Sequence, residues 1–338
     1  GLFHVNANAG LGVRGLSGMG ERSQSGEVTA AFNVREGIDP AALDIPVTRT
    51  GGVTTGLLTP TGSFVAGQAV VVDFAGARVE DLVVRTPAAM VINLTSSARG
   101  AGGNSRAGVL SRLRRLFTDA RDYASRTAAY RTGQMQELSA SAADLEALQP
   151  VLAGQLPVIL MANRRSDIES AMRIAQEFRL RAILGGGTEA WQVAQALAAA
   201  RIPVALNPME DIPSFDGLGA RLDNATLLRQ AGVEVLLAHN DAGGERNLRF
   251  GAGNAVRNGL TWDDAFRSIT LAPAIALGVD GQYGSLAAGK VANVVIWSGD
   301  PFEFSSVAET VYIRGQETSL RTRETELLER YRTLPPKY

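Results

Sequence analysis

Short apolar runs alternate with longer stretches of helical periodicity between residues 157 and 238. The helical stretches are 166–180, 188–201 and 224–232, and each lies between two apolar runs. Repeated alternation of strand and helix predicts a parallel sheet with right-handed crossovers. This pattern constrains the fold more than any other feature of the chain.

Seven candidate strands lie before residue 240, and an eighth is predicted between residues 68 and 84. Eight strand–helix units fit a (β/α)8 TIM barrel of ~250 residues, and a doubly wound open sheet is the alternative. The seven candidate strands are residues 2–5, 53–58, 90–94, 157–161, 181–184, 203–206 and 234–238.

The sequence pattern changes after residue 278. Residues 283–301 and 309–317 read as short strands joined by glycine-rich turns. These strands are too few to close a sandwich, so we expect partner strands from residues before Gly1 or from another chain. The predicted units are a barrel over 1–278, part of a small β-sandwich appendage over 279–318, and a helical tail over 319–338.

Charge and hydropathy exclude several classes of partner. The chain has 33 basic and 34 acidic residues, so no net field would attract a polyanion and no nucleic-acid partner is expected. No apolar run approaches the ~20 residues of a membrane span. The chain starts abruptly within an apolar segment, as a trimmed chain would. The compartment therefore stays open, with a periplasmic or secreted protein among the alternatives.

Histidine and cysteine are scarce. The sequence contains no cysteine and two histidines, His4 and His239. Sulfur-based metal sites and thiolate nucleophiles are therefore excluded. Two imidazoles at most are available as metal ligands or general bases.

Polar residues follow two of the candidate strands, at the end where barrel enzymes hold their chemistry. His239 and Asp241 follow the last strand, and are predicted as a general base and its orienter or proton shuttle. The alternative is that Asp241 caps the next segment and His239 packs under a loop. Asn163 and Arg164 follow an earlier strand, where Arg164 either clamps a carboxylate or forms a surface ion pair.

Residues 269–303 resemble the C-terminal signature of the amidohydrolase superfamily, imidazolonepropionase-like branch. They read ITLAPAIALGVDGQYGSLAAGKVANVVIWSGDPFE. Residues 51–63 and 247–270 are similar to other stretches of that superfamily, so the resemblance covers nearly the whole chain. It implies a (β/α)8 barrel that holds one or two divalent metals, usually zinc. It also implies hydrolysis of C–N bonds in amides, cyclic amides or peptide-like substrates.

The resemblance also identifies substituted ligand positions near the start of the chain. Residues 1–8 read GLFHVNAN and match the superfamily stretch Gly-Leu-Ile-Asp-x-His-x-His. This match places Asn6 and Asn8 at two histidine ligands and His4 at an aspartate. Alternation along a strand would put both asparagines on one face. An amide oxygen is a weak, neutral ligand for zinc.

Further ligand positions of the superfamily are substituted in this chain. The bridging Lys or Glu would fall near Thr95 or Ser96, and two more histidines fall on Met161 and Gly186, whereas Asp241 matches. One Asp with two Asn would not hold zinc tightly enough to lower the pKa of its water. The resemblance thus predicts that the metal site is lost and that this chain has no cofactor.

Three functions stay open from the sequence. The first is a catalytically impaired or inactive relative that acts as a binding or partner subunit, as a homo-oligomer or with an active homologue. The second is a hydrolase with a remodelled centre built on His239 and Asp241. The third is a binding protein for a small polar amide or peptide-like ligand, a sugar or a carboxylate. The predicted substrate-binding residues are Asn6, Asn8, Asn163, Arg164 and Gly186.

Overall fold

The computed structural model describes residues 1–7, 11, 28–62, 64–131, 137–214, 217–239 and 244–332. Asn8 and Asp241, two of the predicted site residues, lie outside the described residues. The roles given to them stay predictions.

Eight strands form one sheet, and each strand pairs with its neighbour in chain order. They are β1 (Leu2–Ala7), β2 (Val53–Leu58), β3 (Val65–Asp73), β4 (Val83–Asn93), β5 (Val158–Ala162), β6 (Ala182–Gly186), β7 (Val204–Leu206) and β8 (Val235–Leu237). β1 and β2 run parallel, and so do β4 to β8. The sheet closes almost completely, which confirms the predicted (β/α)8 barrel class.

The third strand runs against both of its neighbours. β3 is antiparallel to β2 and to β4, with Asp73 opposite Thr55. This strand is the predicted eighth one, and its connections are too short for a crossover helix. Because β3 is reversed, its carboxyl end, with Asp73, lies at the opposite end of the barrel from the carboxyl ends of the parallel strands.

Helices cover the outside of the sheet. α7 (Arg165–Phe178) begins one residue before the predicted stretch 166–180 and ends two residues before its end. Its residues Ile168, Ala171, Ile174 and Phe178 recur at helical spacing and are buried. No helix in the described ranges is long and apolar enough to cross a membrane. The other helices before residue 280 are α1 (Asp44–Thr50), α2 (Val79–Leu82), α3 (Arg106–Ser125), α4 (Thr127–Arg131), α5 (Ala142–Ala147), α6 (Gln149–Leu152), α8 (Ala194–Ala200), α9 (Asn224–Gln230), α10 (Leu248–Arg257), α11 (Trp262–Ser268) and α12 (Leu271–Leu277). Short 3₁₀ helices occupy Val34–Gly37, Ser96–Gly102, Ala190–Val193 and Glu245–Asn247.

Two apolar cores result from this arrangement. The barrel interior is filled by side chains such as Phe3, Val5, Leu57 and Leu236. A larger core lies between the sheet and the helices. Strand residues alternate between these two cores because successive side chains point to opposite faces.

A small antiparallel sheet follows the barrel. It consists of β9 (Val294–Trp297), β10 (Ala308–Ile313) and β11 (Gln316–Glu317), with β10 in the middle. α13 (Arg323–Tyr331) comes after it. Trp297 lies directly against Gly52, just before β2, so the small sheet packs at the amino-terminal end of the parallel strands. The strands that would complete a sandwich, and the predicted domain boundaries, stay predictions.

Candidate functional site

A cavity of about 400 Å³ opens at the carboxyl ends of the parallel strands. Its deeper wall is apolar and includes Val5, Leu57 and Leu236, whereas its rim is polar. This is the end of a (β/α)8 barrel at which ligands bind. We refer to this cavity as the mouth cavity. The amide and acidic side chains that line it are Asn6, Asn93, Asn163, Asn207, Glu210 and Asp211.

Four asparagines occupy the rim, each at the end of a different strand. Asn6 belongs to β1 and Asn93 ends β4, while Asn163 and Asn207 directly follow β5 and β7. A primary amide both donates and accepts hydrogen bonds. Asn93 is already engaged within the protein, since its amide bonds Gly62, Ser97 and Thr95. The NH₂ groups of Asn163 and Asn207 have no hydrogen-bond partner among the described residues, so they are the rim donors that can bind a polar molecule.

Asn6 reaches the cavity through an irregularity in β1. The register with β2 shifts between His4 and Ala7, and the consecutive residues Val5 and Asn6 both line the cavity. The Oδ1 atom of Asn6 accepts a hydrogen bond from the Thr59 hydroxyl at 2.5 Å. This contact fixes the amide at the edge of the mouth cavity, where the sequence predicted a substrate-binding residue.

Asn163 and Gly186 form a matched pair on neighbouring strands. Gly186 has φ +85°, and a Cβ atom at this position would lie 2.2 Å from Asn163 Oδ1. The same Oδ1 atom accepts a hydrogen bond from Thr188 at 3.3 Å. At Gly185, a Cβ would lie 2.3 Å from the Met161 sulfur. The asparagine and the methionine thus occupy the space that side chains at these glycines would need.

Two of the predicted residues lie beside the mouth cavity rather than in its lining. Arg164 is half-buried and immediately precedes α7. His239 is 7% exposed and follows Ala238, which does line the cavity. The structure therefore brings together Asn6, Asn163 and Gly186 from the predicted set.

His4 bridges the two end strands of the sheet. Its Nδ1 lies 3.1 Å from the main-chain nitrogen of Asn6, and its Nε2 lies 3.2 Å from that of His239. A neutral imidazole has one acceptor nitrogen, so it satisfies one of these amides at a time. Burial, reinforced by His239, lowers the pKa of His4 to about 3, so the ring is neutral at neutral pH. Both histidines of the chain meet in the barrel wall.

Asp211 is a candidate residue that the sequence analysis missed. It is 2% exposed, and its Oδ2 atom accepts a hydrogen bond from the Asn224 side chain at 3.2 Å. Burial raises the pKa of the Asp211 carboxyl to about 7, Asn224 opposes this rise, and Glu210 adds to it. Carboxyls with such pKa values concentrate at functional sites. The signal available in the sequence was position, because NPMED directly follows the strand predicted over 203–206.

The described residues at the mouth do not fit the divalent metal that the resemblance implies. Across the ranges that the structure describes, no three His, Asp or Glu side chains lie together in a way that could hold a metal ion. The positions matched to histidine ligands carry the Asn6 amide, the Met161 thioether and Gly186. Zinc prefers imidazole, thiolate and carboxylate ligands. Both nitrogens of His4 already face main-chain amides.

Comparisons with known proteins agree with this fold. The model of the amidohydrolase family matches residues 217–318. The chain is 24% identical to amidohydrolase tasK of Hapsidospora irregularis over 93% of its own length, and spans only 36% of that relative. It also superimposes on the crystal structure of an amidohydrolase from Thermotoga maritima MSB8 with a TM-score of 0.84 and 28% identity. That match covers 95% of this chain and 86% of the other.

Proposed function

The chain belongs to the amidohydrolase superfamily, and from this premise we propose that it binds a small polar ligand with amide or peptide-like groups in the mouth cavity. We further propose that it does so without the metal-dependent hydrolysis of the superfamily. The observation that carries this proposal is the chemistry of the rim, where four asparagines lie at strand ends.

The rim favours an amide-containing ligand because its groups can bond both the carbonyl and the N–H of an amide. Asparagine NH₂ groups donate to a ligand carbonyl, and asparagine carbonyls accept from a ligand N–H. The apolar floor below the rim would contact the ligand's hydrocarbon part. A few placed polar groups above an apolar floor are typical of small-molecule sites.

Asp211 adds a group whose hydrogen-bonding sense changes near neutral pH. Its Oδ2 atom is held by Asn224, and its Oδ1 atom has no hydrogen-bond partner among the described residues. Below pH 7 the carboxyl is protonated and can donate to a carbonyl, whereas above pH 7 it can only accept. We therefore propose that it contacts the ligand directly.

The proposal is tested by titrating N-acetylglycinamide into chelator-treated protein and measuring heat. We expect saturable binding that Asn163→Ala weakens by about fivefold, since one hydrogen bond contributes ~1 kcal/mol. The control is Asn258→Ala, which changes an asparagine that directly follows α10 and does not line the mouth cavity. Absence of saturable binding, or equal weakening by both variants, would overturn the proposal.

A second candidate is metal-independent hydrolysis, favoured by the pKa of Asp211. A carboxyl with a pKa near 7 is suited to accept and return a proton at neutral pH. Turnover of an N-acetyl amide by chelator-treated protein, abolished in Asp211→Asn, would support this function.

The remodelled centre built on His239 and Asp241 stays a prediction. It requires instead that His239→Ala abolish that turnover.

A further inference from the structure

A second cavity, of about 130 Å³, lies between α3, α7 and the 3₁₀ helix Ser96–Gly102. It is separate from the mouth cavity and has a different lining. Its polar side chains include two guanidinium groups, Arg99 and Arg106, together with Ser166 and Asp167. We call it the arginine cavity.

Arg99 is the residue that points to a ligand. Its Nε atom is buried, and it has no hydrogen-bond partner among the described residues. A buried donor without an acceptor is unfavourable, so such a group is normally satisfied by a bound molecule or water. The arginine cavity is the space that this side chain lines.

The other donors are only loosely engaged. Arg106 lies 3.4 Å from Asp167 Oδ1 and 3.4 Å from the Ser166 hydroxyl, both long contacts. Ser166 stands in the first turn of the 14-residue helix α7, whose positive end favours an anion. Two guanidinium groups and the carboxylate of Asp167 leave a net charge of +1 around the cavity.

We propose that the arginine cavity binds a phosphate group. Its donors come from three separate elements, which suits a tetrahedral group with oxygens in several directions better than a planar carboxylate held by one fork. The terminal nitrogens of Arg99, which make no hydrogen bond or ion pair with the described residues, would bind the phosphate directly, with Arg106 and Ser166 beside it. This site does not depend on the function proposed for the mouth cavity.

The test is calorimetric titration of the full chain with inorganic phosphate at constant ionic strength. We expect saturable binding that Arg99→Gln weakens by at least about tenfold, as for loss of a charge-assisted hydrogen bond. Arg114→Gln is the control because it removes the same charge from α3 at an ion pair with Glu177, outside the cavity. Unchanged urea midpoints would show that both variants fold.

Further probes separate the sources of the phosphate. Glycerol 3-phosphate that binds at least as well as inorganic phosphate supports a phosphate group on a larger ligand, and weaker binding supports the free ion. Arg99→Lys keeps the charge without the planar fork, so we expect intermediate affinity. Acetate that binds as tightly as phosphate would overturn the proposal. So would an equal loss in Arg99→Gln and Arg114→Gln, or no saturable phosphate binding.

Discussion

Two buried aspartates, at opposite ends of the barrel, have different surroundings. Asp73 is fully buried and accepts hydrogen bonds from Thr55, Asn293, Tyr283 and Arg314, at 2.8 to 3.0 Å. Asp211, at the mouth, is almost as buried but accepts one side-chain hydrogen bond, from Asn224. The first carboxylate is satisfied by the fold, whereas the second has an oxygen left for another molecule.

The two ends of the barrel also differ in what they contact: one end is attached to the small sheet, and the other end carries the mouth cavity. Arg314 and Asn293 belong to the small-sheet region, so the network around Asp73 fastens that sheet to β2 and β3. At the mouth cavity, the NH₂ groups of Asn163 and Asn207 have no hydrogen-bond partner among the described residues. We infer that the Asp73 end stabilises the fold and that the mouth is the functional end.

The largest effect on stability is expected from removing the Asp73 carboxylate, which is fully hydrogen-bonded. Asp73→Ala leaves the buried donors of Thr55, Asn293 and Tyr283 without their acceptor. We expect the free energy of unfolding to fall by about 4 kcal/mol. Urea denaturation measures this, and Asp280→Ala, at an exposed aspartate, is the control with an expected change under ~0.5 kcal/mol. A change below 1 kcal/mol in Asp73→Ala would remove the basis of the contrast.

A smaller and pH-dependent effect is expected at the mouth. The pKa of Asp211 is raised to about 7 in the folded state, so between pH 4 and 7 the native state keeps a proton that the unfolded chain releases. This contribution is fully present below pH 4 and is lost as pH rises to 7. Asp211→Asn removes this pH dependence. The free energy of unfolding of the variant, relative to that of wild type, should therefore rise by about 2 kcal/mol between pH 4 and pH 6.

The measurement is urea denaturation of both proteins across that pH range. Titration of His4, whose lowered pKa gives the opposite pH dependence, cancels in the difference between the two curves. The neighbouring Glu210 stays in both proteins. Asp280→Asn should follow the wild-type curve. A flat difference for Asp211→Asn would show that its carboxyl ionises as in water and that the two aspartates do not differ in this way.

Gly186→Ala tests how tightly the mouth is arranged. Its positive φ disfavours a side chain, and the new Cβ would displace Asn163 Oδ1. We expect a loss of about 1–2 kcal/mol in unfolding free energy, and weaker N-acetylglycinamide binding. Gly289→Ala, at the same φ of +85° and with no atom within 4 Å of its Cβ, is the matched control. Equal binding by both variants would show that Asn163 need not be held in place.

The smallest effect is expected at the Asn6–Thr59 hydrogen bond. Asn6→Ala should cost about 1 kcal/mol of stability, because the buried Thr59 hydroxyl loses its acceptor. In a double-mutant cycle with Thr59→Val, the combined cost should be less than the sum of the two single costs. Strict additivity would show that this contact does not fix the rim.

The barrel was predictable because β5 to β8 alternate with helices in a way that only a parallel sheet accommodates. The direction of β3 was not predicted, since a buried apolar run reads the same in either orientation. The signal was connection length. Only six residues separate β2 from β3, whereas a parallel crossover needs a dozen or more.

The site was predictable in part. Asn163 was predicted from its place after a strand, which is visible in the sequence, whereas Asn6 was singled out by the resemblance of residues 1–8 to the superfamily. Both residues line the mouth cavity. Asp211 was missed because burial, which gives its carboxyl an unusual pKa, depends on the packing of a loop. The close contact between Gly186 and Asn163 was not predicted, because these residues lie on neighbouring strands and no local sequence pattern reveals such a contact.

The most direct test of a mouth built for ligand binding rather than metal-dependent hydrolysis is the zinc content of freshly purified protein, before and after zinc addition and dialysis. Two histidines in the whole sequence and an amide-lined rim predict well under one zinc ion per chain, about 0.1 or less, under both conditions. One or two zinc ions retained per chain would contradict this conclusion and restore the metal centre of the superfamily.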